Sequence, residues 1–546
     1  MQRREQERSR SFEARADADP LHLVMAVTGE PPVETVQTLQ GLQGQTTGRW
    51  MLTAVVHDSW HNDFTALLAV SGIQRSGQRV RVLTAGDGSG PAEMTTLGLA
   101  AASGFDVALI FPGDLWAPDT VAQLGHALAP DRVVYADEDR LDAGGSHVAP
   151  RLKPAYSPDF LLASPYVGRP LAMGSALVSG LQARGSSTAE EIEHDLALQV
   201  CEGATRVIHL PEVLCHRVGG AIESPASDSD LHVVAALARR GDAATVRPGP
   251  AVGTFRLLRD APSTCTVSII IPFRDEPRFL RTCVDSIDAT KGAQPTEYVL
   301  VDNGSVLPET ATLLDQLGGR PDVRVLSDRR PFNWAELNNV AADTASGDVL
   351  VFLNNDIEAT SVGWLAVLCA QALRADVGAV GARLLYPDRR LQHCGVVIGL
   401  GGAAGHLFVG LEEAKSGYLG MAVVARECAA VTGACLATRR DVFASLEGFD
   451  ASLGVDLNDV DYCLRAQRDG LRVIFDPTVE LIHHESPSRG TAGDTRDIVH
   501  FIDRWSDSIL SGDPYLNPHL TRVDSSCALR GPDEKEWWQR WRSSLG

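Results

Sequence analysis

The chain lacks any apolar run long enough to span a bilayer. A membrane helix needs about 20 consecutive apolar residues, and the longest run here, near Cys394 to Gly405, is short and broken by glycines. No secretory leader opens the sequence: Met1 to Arg10 alternates basic and acidic residues without an apolar segment, which predicts a disordered arm over 1–19. A broad Lys/Arg tract is also missing. With 49 basic against 70 acidic residues and a formal charge of −21, the chain is a poor match for a phosphate backbone, so no nucleic-acid partner is expected. Close Cys-x-x-Cys pairs are absent, and ten scattered cysteines argue against structural zinc and for reduced thiols in a cytoplasmic protein.

What is present is more specific. A chain of 546 residues is too long for one hydrophobic core, and length alone predicts roughly two to four domains. After the loop-like Ala261-Pro262-Ser263-Thr264, the run Val267-Ser268-Ile269-Ile270-Ile271-Pro272-Phe273 reads as a buried strand. A helical pattern through Leu280, Cys283, Val284 and Ile287 leads to Tyr298-Val299-Leu300-Val301-Asp302, a second strand ending in an acid. Strand, helix, strand implies a right-handed parallel unit. A short strand at Val323–Leu326 and a helix from about Asn333 to Thr344 continue it. Five apolar residues, Val349 to Leu353, then run straight into Asn354-Asn355-Asp356. Ligands of open α/β sheets collect at the carboxyl ends of parallel strands, so Asp356 is a candidate metal ligand or catalytic acid, with capping of the following turn as the alternative. The first strand leads into Arg274-Asp275-Glu276-Pro277, which has none of the glycines that a dinucleotide-binding turn requires.

The pattern occurs twice. Leu21–Val27, Trp50–Asp58 and Phe105–Asp114 parallel the strands at Val267, Asp302 and Asp356, and Asp195, Arg206–Pro211 and His216 echo Asp461, Arg472–Pro477 and His483. Two copies of one domain follow as the economical reading, with a boundary near 220 to 265. In the second copy, Asp459 falls in the first turn of a helix starting near Asn458, where an anion is favoured, although helix capping alone would explain it. The next strand ends in His483-His484; adjacent residues of a strand point to opposite sides, so only one of the two can face the crevice of Asp356.

These residues resemble family 2 of the inverting glycosyltransferases. The matching elements are Ile271-Pro272, Val301-Asp302-Asn303-Gly304-Ser305, Phe352–Asp356, Asn458-Asp459-Val460-Asp461 and His483-His484-Glu485-Ser486. The branch building O-antigen and related surface polysaccharides, often called rhamnosyltransferase-like, is suggested by Pro331–Trp334, Leu391–Val396, Gly405-His406 and Asp513–Pro518. The resemblance is strong over 265–520 and weaker over 20–220. It implies an α/β fold of two tandem GT-A domains, each a mostly parallel sheet flanked by helices: 20–220, degenerate, and 265–500, catalytic, joined by a linker over 221–264 and followed by a helical tail over 501–546. It further implies that Asp356 and His483, with His484 as the alternative, hold Mn²⁺ or Mg²⁺. Pro272, Asp302, Asn339, Asn355 and Asp356 would bind the nucleotide sugar, and Asp459 would be the general base for a glycan or lipid-linked acceptor.

A second candidate site in the first copy comprises Asp58, Asp114, Glu193 and His216, but Pro112-Gly113 replaces the polar pair before Asp114, and Glu193 stands where the base should be. A base misplaced by about 1 Å can cost on the order of 100-fold. The first copy is therefore expected to position acceptor or stabilise the pair, with a second weak transferase as the alternative. Tyr135–Asp139 and Lys153–Asp159 fit the family's acceptor-side region. His393 and the glycines between Gly399 and Gly405 lie where acceptor should bind, and packing explains them equally well. Three tryptophans and two arginines in Glu536–Arg542 predict a terminal helix that either contacts the inner face of a membrane or docks on the protein itself. A carbohydrate-binding scaffold without turnover is the reading from another class.

Overall fold

The computed structural model describes residues 20–28, 34–73, 79–184, 188–218, 230–485 and 495–535. The amino-terminal arm and the Glu536–Arg542 segment lie outside them. The chain divides into two compact units: most of 1–248 forms the first, and Phe255–Gly546 together with Ser157–Ala163 and Gly249–Ala251 the second.

In the first unit the strands are β1 (Leu21–Val27), β2 (Trp50–His57), β3 (Arg79–Ala85), β4 (Val107–Leu109), β5 (Asp114–Trp116), β6 (Arg132–Leu141), β7 (His147–Arg151), β8 (Leu171–Met173) and β9 (Arg206–Val218). They form one sheet in the order β3-β2-β1-β4-β8-β6-β9-β5, with β7 on β6. β1, β2, β3 and β4 pair in parallel, whereas β8 is antiparallel to β4 and β6, and β5 to β9. The inner strands bury both faces, which is why β1 and β2 read as nearly continuous apolar runs rather than alternations.

The stretch expected to be a linker carries structure: a helix, Leu231–Arg240, and two short strands, β10 (Thr245–Pro248) and β11 (Phe255–Leu258). The helix buries Val233, Ala236 and Leu237 on one face and stops at Gly241, whose left-handed φ of 65° suits a residue without Cβ. Its apolar spacing is helical, and the polar residues flanking it hid that.

The second unit holds β12 (Val267–Phe273), β13 (Thr296–Asp302), β14 (Val323–Ser327), β15 (Val349–Leu353), β16 (Ile357–Ala359), β17 (Val377–Leu385), β18 (Leu391–His393), a ribbon of β19 (Val396–Ile398) and β20 (Ala404–His406), then β21 (Arg426–Glu427), β22 (Cys435–Arg439) and β23 (Arg472–His483). The sheet order is β14-β13-β12-β15-β22-β17-β23-β16, with β18 on β17 and β21 on β23. Both units are mixed α/β, and position for position the second sheet repeats the first in strand order and in the sense of every pairing. The core on one side of this sheet joins Ile269, Ile271, Leu300, Val351 and Leu353 to the helices Pro277–Thr290 and Trp364–Ala372.

The chain beyond 500 is helical only in part. The helix runs from Thr495 to Ser511, ends at Gly512 with φ 83°, and gives way to turns around Asp513-Pro514, because proline cannot continue a helix.

Candidate functional site

The parallel strands β12, β13 and β15 bring Pro272, Asp302 and Asn354 to one edge of the second sheet. Pro272 interrupts no ladder toward β15, since that pairing ends at Ile270. Beyond Leu353 the chain turns through Asn354-Asn355-Asp356 and returns as β16, which runs antiparallel to β23 with Ile357 opposite His483. This register places the imidazole Nε2 of His483 3.1 Å from Oδ1 of Asp356, both side chains being buried. His484 turns the other way, to Glu358 at 3.0 Å and beside the ring of Phe279. The pleat thus separates the two histidines, and His483 is the one beside Asp356.

The orientation of His483 is held from behind. Its Nδ1 lies 2.7 Å from Oε1 of Gln392 on β18. An amide oxygen can only accept, so Nδ1 is the donor of this contact, and Nε2, the nitrogen facing Asp356, is the one a metal ion could use. Asn354 Nδ2 stands 3.4 Å from the same Nε2, and Trp334 Nε1 lies 3.4 Å from Asn354 Oδ1. Gln392 belongs to a stretch singled out by resemblance but carried no assigned role; nothing in its sequence neighbourhood shows that β18 delivers it to β23.

Asp459 lies in the first turn of the helix Asn458–Arg468, whose capping residue Leu457 is held at φ 64°. A leucine in the left-handed region is strained, and here it sets the angle at which the helix leaves the loop. Oδ2 of Asp459 accepts the N–H of Gly433 at 2.6 Å. A Cβ on Gly433 would come within 2.7 Å of Trp334, so only glycine lets its N–H reach this carboxylate. Asp461, two residues on, is instead a buried anchor, bonded to Arg465 at 2.8 Å and to Trp505 at 2.9 Å.

Asp459 and His483 line one cavity of 830 Å³ with Tyr386, His406, Glu485 and the glycine turn between β19 and β20. The left-handed φ of Gly401, 65°, lets that turn form its lip. The helix Thr495–Ser511 closes another side through Ile498, Val499 and Ile502. Burial holds the imidazole of His406 below its usual pKa, and that of His393, wholly enclosed behind it, far below; both are neutral at physiological pH. His393 has no access to the cavity, whereas His406 lines it.

Other expected residues sit elsewhere. Asp302 Oδ1 accepts the Ser305 N–H at 2.8 Å, bracing the turn at the end of β13. Asn355 is half-buried in the turn before Asp356. The Asn339 amide donates to the Phe449 carbonyl at 2.8 Å and accepts the Phe449 N–H at 2.9 Å, pinning the segment that precedes the Asp459 helix. An asparagine in a helix gives no hint from sequence that both ends of its amide serve a distant backbone.

In the first unit Asp114 and His216 occupy positions equivalent to Asp356 and His483: β5 lies antiparallel to β9 with Leu115 opposite His216. The side chains, however, part company. Arg169, just ahead of β8, reaches Asp114 Oδ1 at 2.7 Å, bonds Glu193 through Nε and lies over the Phe111 ring at 4.2 Å. Both acids of the expected second site thus answer to one buried guanidinium. His216 pairs with Asp139 on β6 at 2.6 Å, and Asp58 is exposed at the start of a single 3₁₀ turn. The second unit has Gly433-Ala434 immediately ahead of the corresponding strand β22, and no guanidinium there.

Residues 268–446 match the model of Glycosyl transferase family 2. The chain carries a family 2 glycosyl transferase domain. That domain lies within the second unit and contains Asp302, Asp356, Gln392 and Gly433. The chain is 39% identical over 475 residues to the O-antigen biosynthesis protein RfbC of Myxococcus xanthus, an alignment covering 83% of this chain and 36% of that protein. It is 31% identical over 536 residues to the uncharacterized protein y4gI of Sinorhizobium fredii, covering 94% and 59% respectively. The chain therefore spans 36% and 59% of the lengths of these curated relatives. Among solved structures it is similar to GalNAc-T7 with UDP, GalNAc and Mn²⁺, at 17% identity and a TM-score of 0.36 over 45% of this chain and 50% of that one. It is also similar to the mannosyltransferase PcManGT from Pyrobaculum calidifontis in complex with GDP-Man and Mn²⁺, at 19% identity and a TM-score of 0.33 over 50% and 70%. Among the described residues no helix is long and apolar enough to cross a membrane.

Proposed function

We propose that the second unit is a metal-dependent inverting glycosyltransferase that moves a sugar from a nucleotide-sugar donor to a glycan or lipid-linked acceptor in the synthesis of a bacterial surface polysaccharide. The observation that carries this reading is the Asp356–His483 pair at 3.1 Å, whose His483 lines the same cavity as Asp459, in a unit that holds the family 2 match over 268–446. The polysaccharide context rests on the name of the Myxococcus xanthus relative.

The donor atoms fit a divalent cation. A buried carboxylate oxygen faces an imidazole nitrogen of a ring that Gln392 holds in place, and one nitrogen beside one oxygen favours Mn²⁺ over Mg²⁺. Asp356 and His483 would hold the ion, which when bound neutralises the diphosphate charge that builds as the anomeric bond breaks. Asp459 takes the proton of the acceptor hydroxyl while the oxygen forms its bond to the anomeric carbon and the diphosphate leaves with the electron pair of the broken bond. The Gly433 N–H fixes that carboxylate in place. Neutral His406 and the glycine lip surround the acceptor end of the cavity without competing for the proton. Asp302 and Asn355 are proposed to meet the donor, as the family resemblance implies.

The first unit is read as noncatalytic, because Arg169 neutralises the acids that a second site would need. The protein works in the cytoplasm, and Trp537 to Trp541 is proposed to touch the membrane that carries the acceptor; truncation at 530 should reduce flotation with anionic liposomes.

A screen of nucleotide sugars by thermal shift and by release of nucleoside diphosphate, with and without Mn²⁺, tests the main reading. One donor should raise the melting temperature only with the ion and release diphosphate. If no donor does either, the assignment fails.

A further inference from the structure

A second, unrelated donor set lies in the first unit. Asp139, His147 and His216 stand on three neighbouring strands: β6 is flanked by β7 on one side and β9 on the other, and His216 is in direct register with Asp139. The Nδ1 of His147 lies 2.8 Å from Oδ2 of Asp139, and the Nδ1 of His216 lies 2.6 Å from Oδ1. One ligand atom from each residue falls within 4.8 Å of the others, the only such trio of acids, histidines or cysteines among the described residues.

Ordinary carboxylate–histidine pairing does not require this geometry, and the same strand shows the contrast. Asp137, two residues earlier on β6, pairs with one histidine, His209 at 2.8 Å, and also accepts the Lys153 N–H at 2.8 Å, so it ties a loop to the sheet. Asp139 meets imidazole nitrogens at both oxygens, through the same ring position of each, and its side chain is only 3% exposed. The cations of the neighbourhood do not compete: Arg151, Lys153 and Arg217 gather on Glu138, at 3.5, 3.5 and 3.7 Å. Bonds of about 2.0–2.1 Å to imidazole and carboxylate at tetrahedral angles place ligand atoms about 3.3 Å apart, so an ion would part the two hydrogen-bonded contacts by roughly 0.5 Å and draw in the remaining ligand atoms, which lie within 4.8 Å. The His147 side chain is 49% exposed, which leaves an entry path and a fourth position for water.

We propose that Asp139, His147 and His216 bind one divalent transition-metal ion of borderline softness, Zn²⁺ foremost, independently of the Asp356–His483 pair. Two imidazoles with one carboxylate suit Zn²⁺ and Co²⁺ and disfavour the all-oxygen ions Mg²⁺ and Ca²⁺. The expectation against structural zinc came from the cysteines, and no cysteine belongs to this set.

The test uses the full chain with Asp356→Ala and His483→Ala, which removes the other candidate ligands, and Co²⁺ as a visible probe. Equilibrium dialysis should find one tightly held Co²⁺ with the intense visible absorption of a four-coordinate site, displaced by equimolar Zn²⁺. In that background His147→Ala, a change on an exposed strand that leaves the Asp139–His216 contact in place, should abolish the band and weaken Co²⁺ binding by more than the roughly 100-fold that losing an outer-shell partner costs. Asp139→Asn should do the same, and its circular dichroism reports whether the buried strand still folds. Failure of the parent chain to take up Co²⁺ or Zn²⁺ at micromolar concentration would show a hydrogen-bonded triad only and overturn the proposal, as would an unchanged cobalt spectrum in a folded His147→Ala protein.

Discussion

The two sheets share strand order and pairing sense, yet the acids at the tips of their matching strands have opposite fates. In the second unit Asp356 faces the imidazole of His483; in the first, Asp114 faces the guanidinium of Arg169. A difference of one side chain ahead of one strand, Arg169 against Gly433-Ala434, separates a place that can receive a cation from one that already contains one. The scaffold fixes where an acid sits, and the neighbour decides what it can do.

The comparison breaks most sharply if the acids are exchanged for amides. Asp356→Asn and Asp459→Asn should each cut sugar transfer by about 100-fold to 10,000-fold, the usual contribution of a positioned acid–base group, and Asp114→Asn should leave it within about twofold; single-turnover transfer assays distinguish them. Full activity in Asp459→Asn removes the base assignment. Arg169→Met should next destabilise the first unit by about 3–5 kcal/mol, because it strands Asp114 and Glu193 without their buried partner, as read by urea denaturation. An unaltered midpoint would mean the guanidinium is not what holds these acids. Gln392→Leu should weaken Mn²⁺ binding by about 10–100-fold while leaving the melting temperature of the ion-free protein nearly unchanged, a split that separates orientation of His483 from general packing.

The smallest effect concerns pH. Burial raises Asp513, which accepts the N–H groups of Ile398 and Tyr515, to about 6. An unfolded aspartate ionises near pH 3.9, so between about pH 4 and 6 the folded chain keeps a proton that the unfolded chain has lost. The stability from this group is therefore greatest below about pH 4 and falls as pH rises to about 6. Asp513→Asn should flatten that slope in denaturation midpoints measured across the window.

Much of this was legible in the chain. The buried strands at Val267, Tyr298 and Val349 announce themselves because parallel strands covered on both faces need apolar residues at every position. Asp356, Asp459 and His483 could be placed because strand ends and helix starts have local signatures. Gln392, Gly433 and Arg169 could not, since each acts on a residue brought near by a sheet crossing, and nothing local records that meeting. The tie from the Asn339 amide to Phe449, 110 residues away in sequence, is hidden for the same reason.

The register between β16 and β23 has a consequence for how this protein can change over time. Because Ile357 faces His483, deletion of a single residue within Val479–Ile482 would present His484 to Asp356 and turn His483 outward toward Glu358. Two consecutive histidines mean that an imidazole would still arrive, but without Gln392 to set its tautomer. Lineages of this domain should therefore keep the length of β23 ahead of His483 fixed.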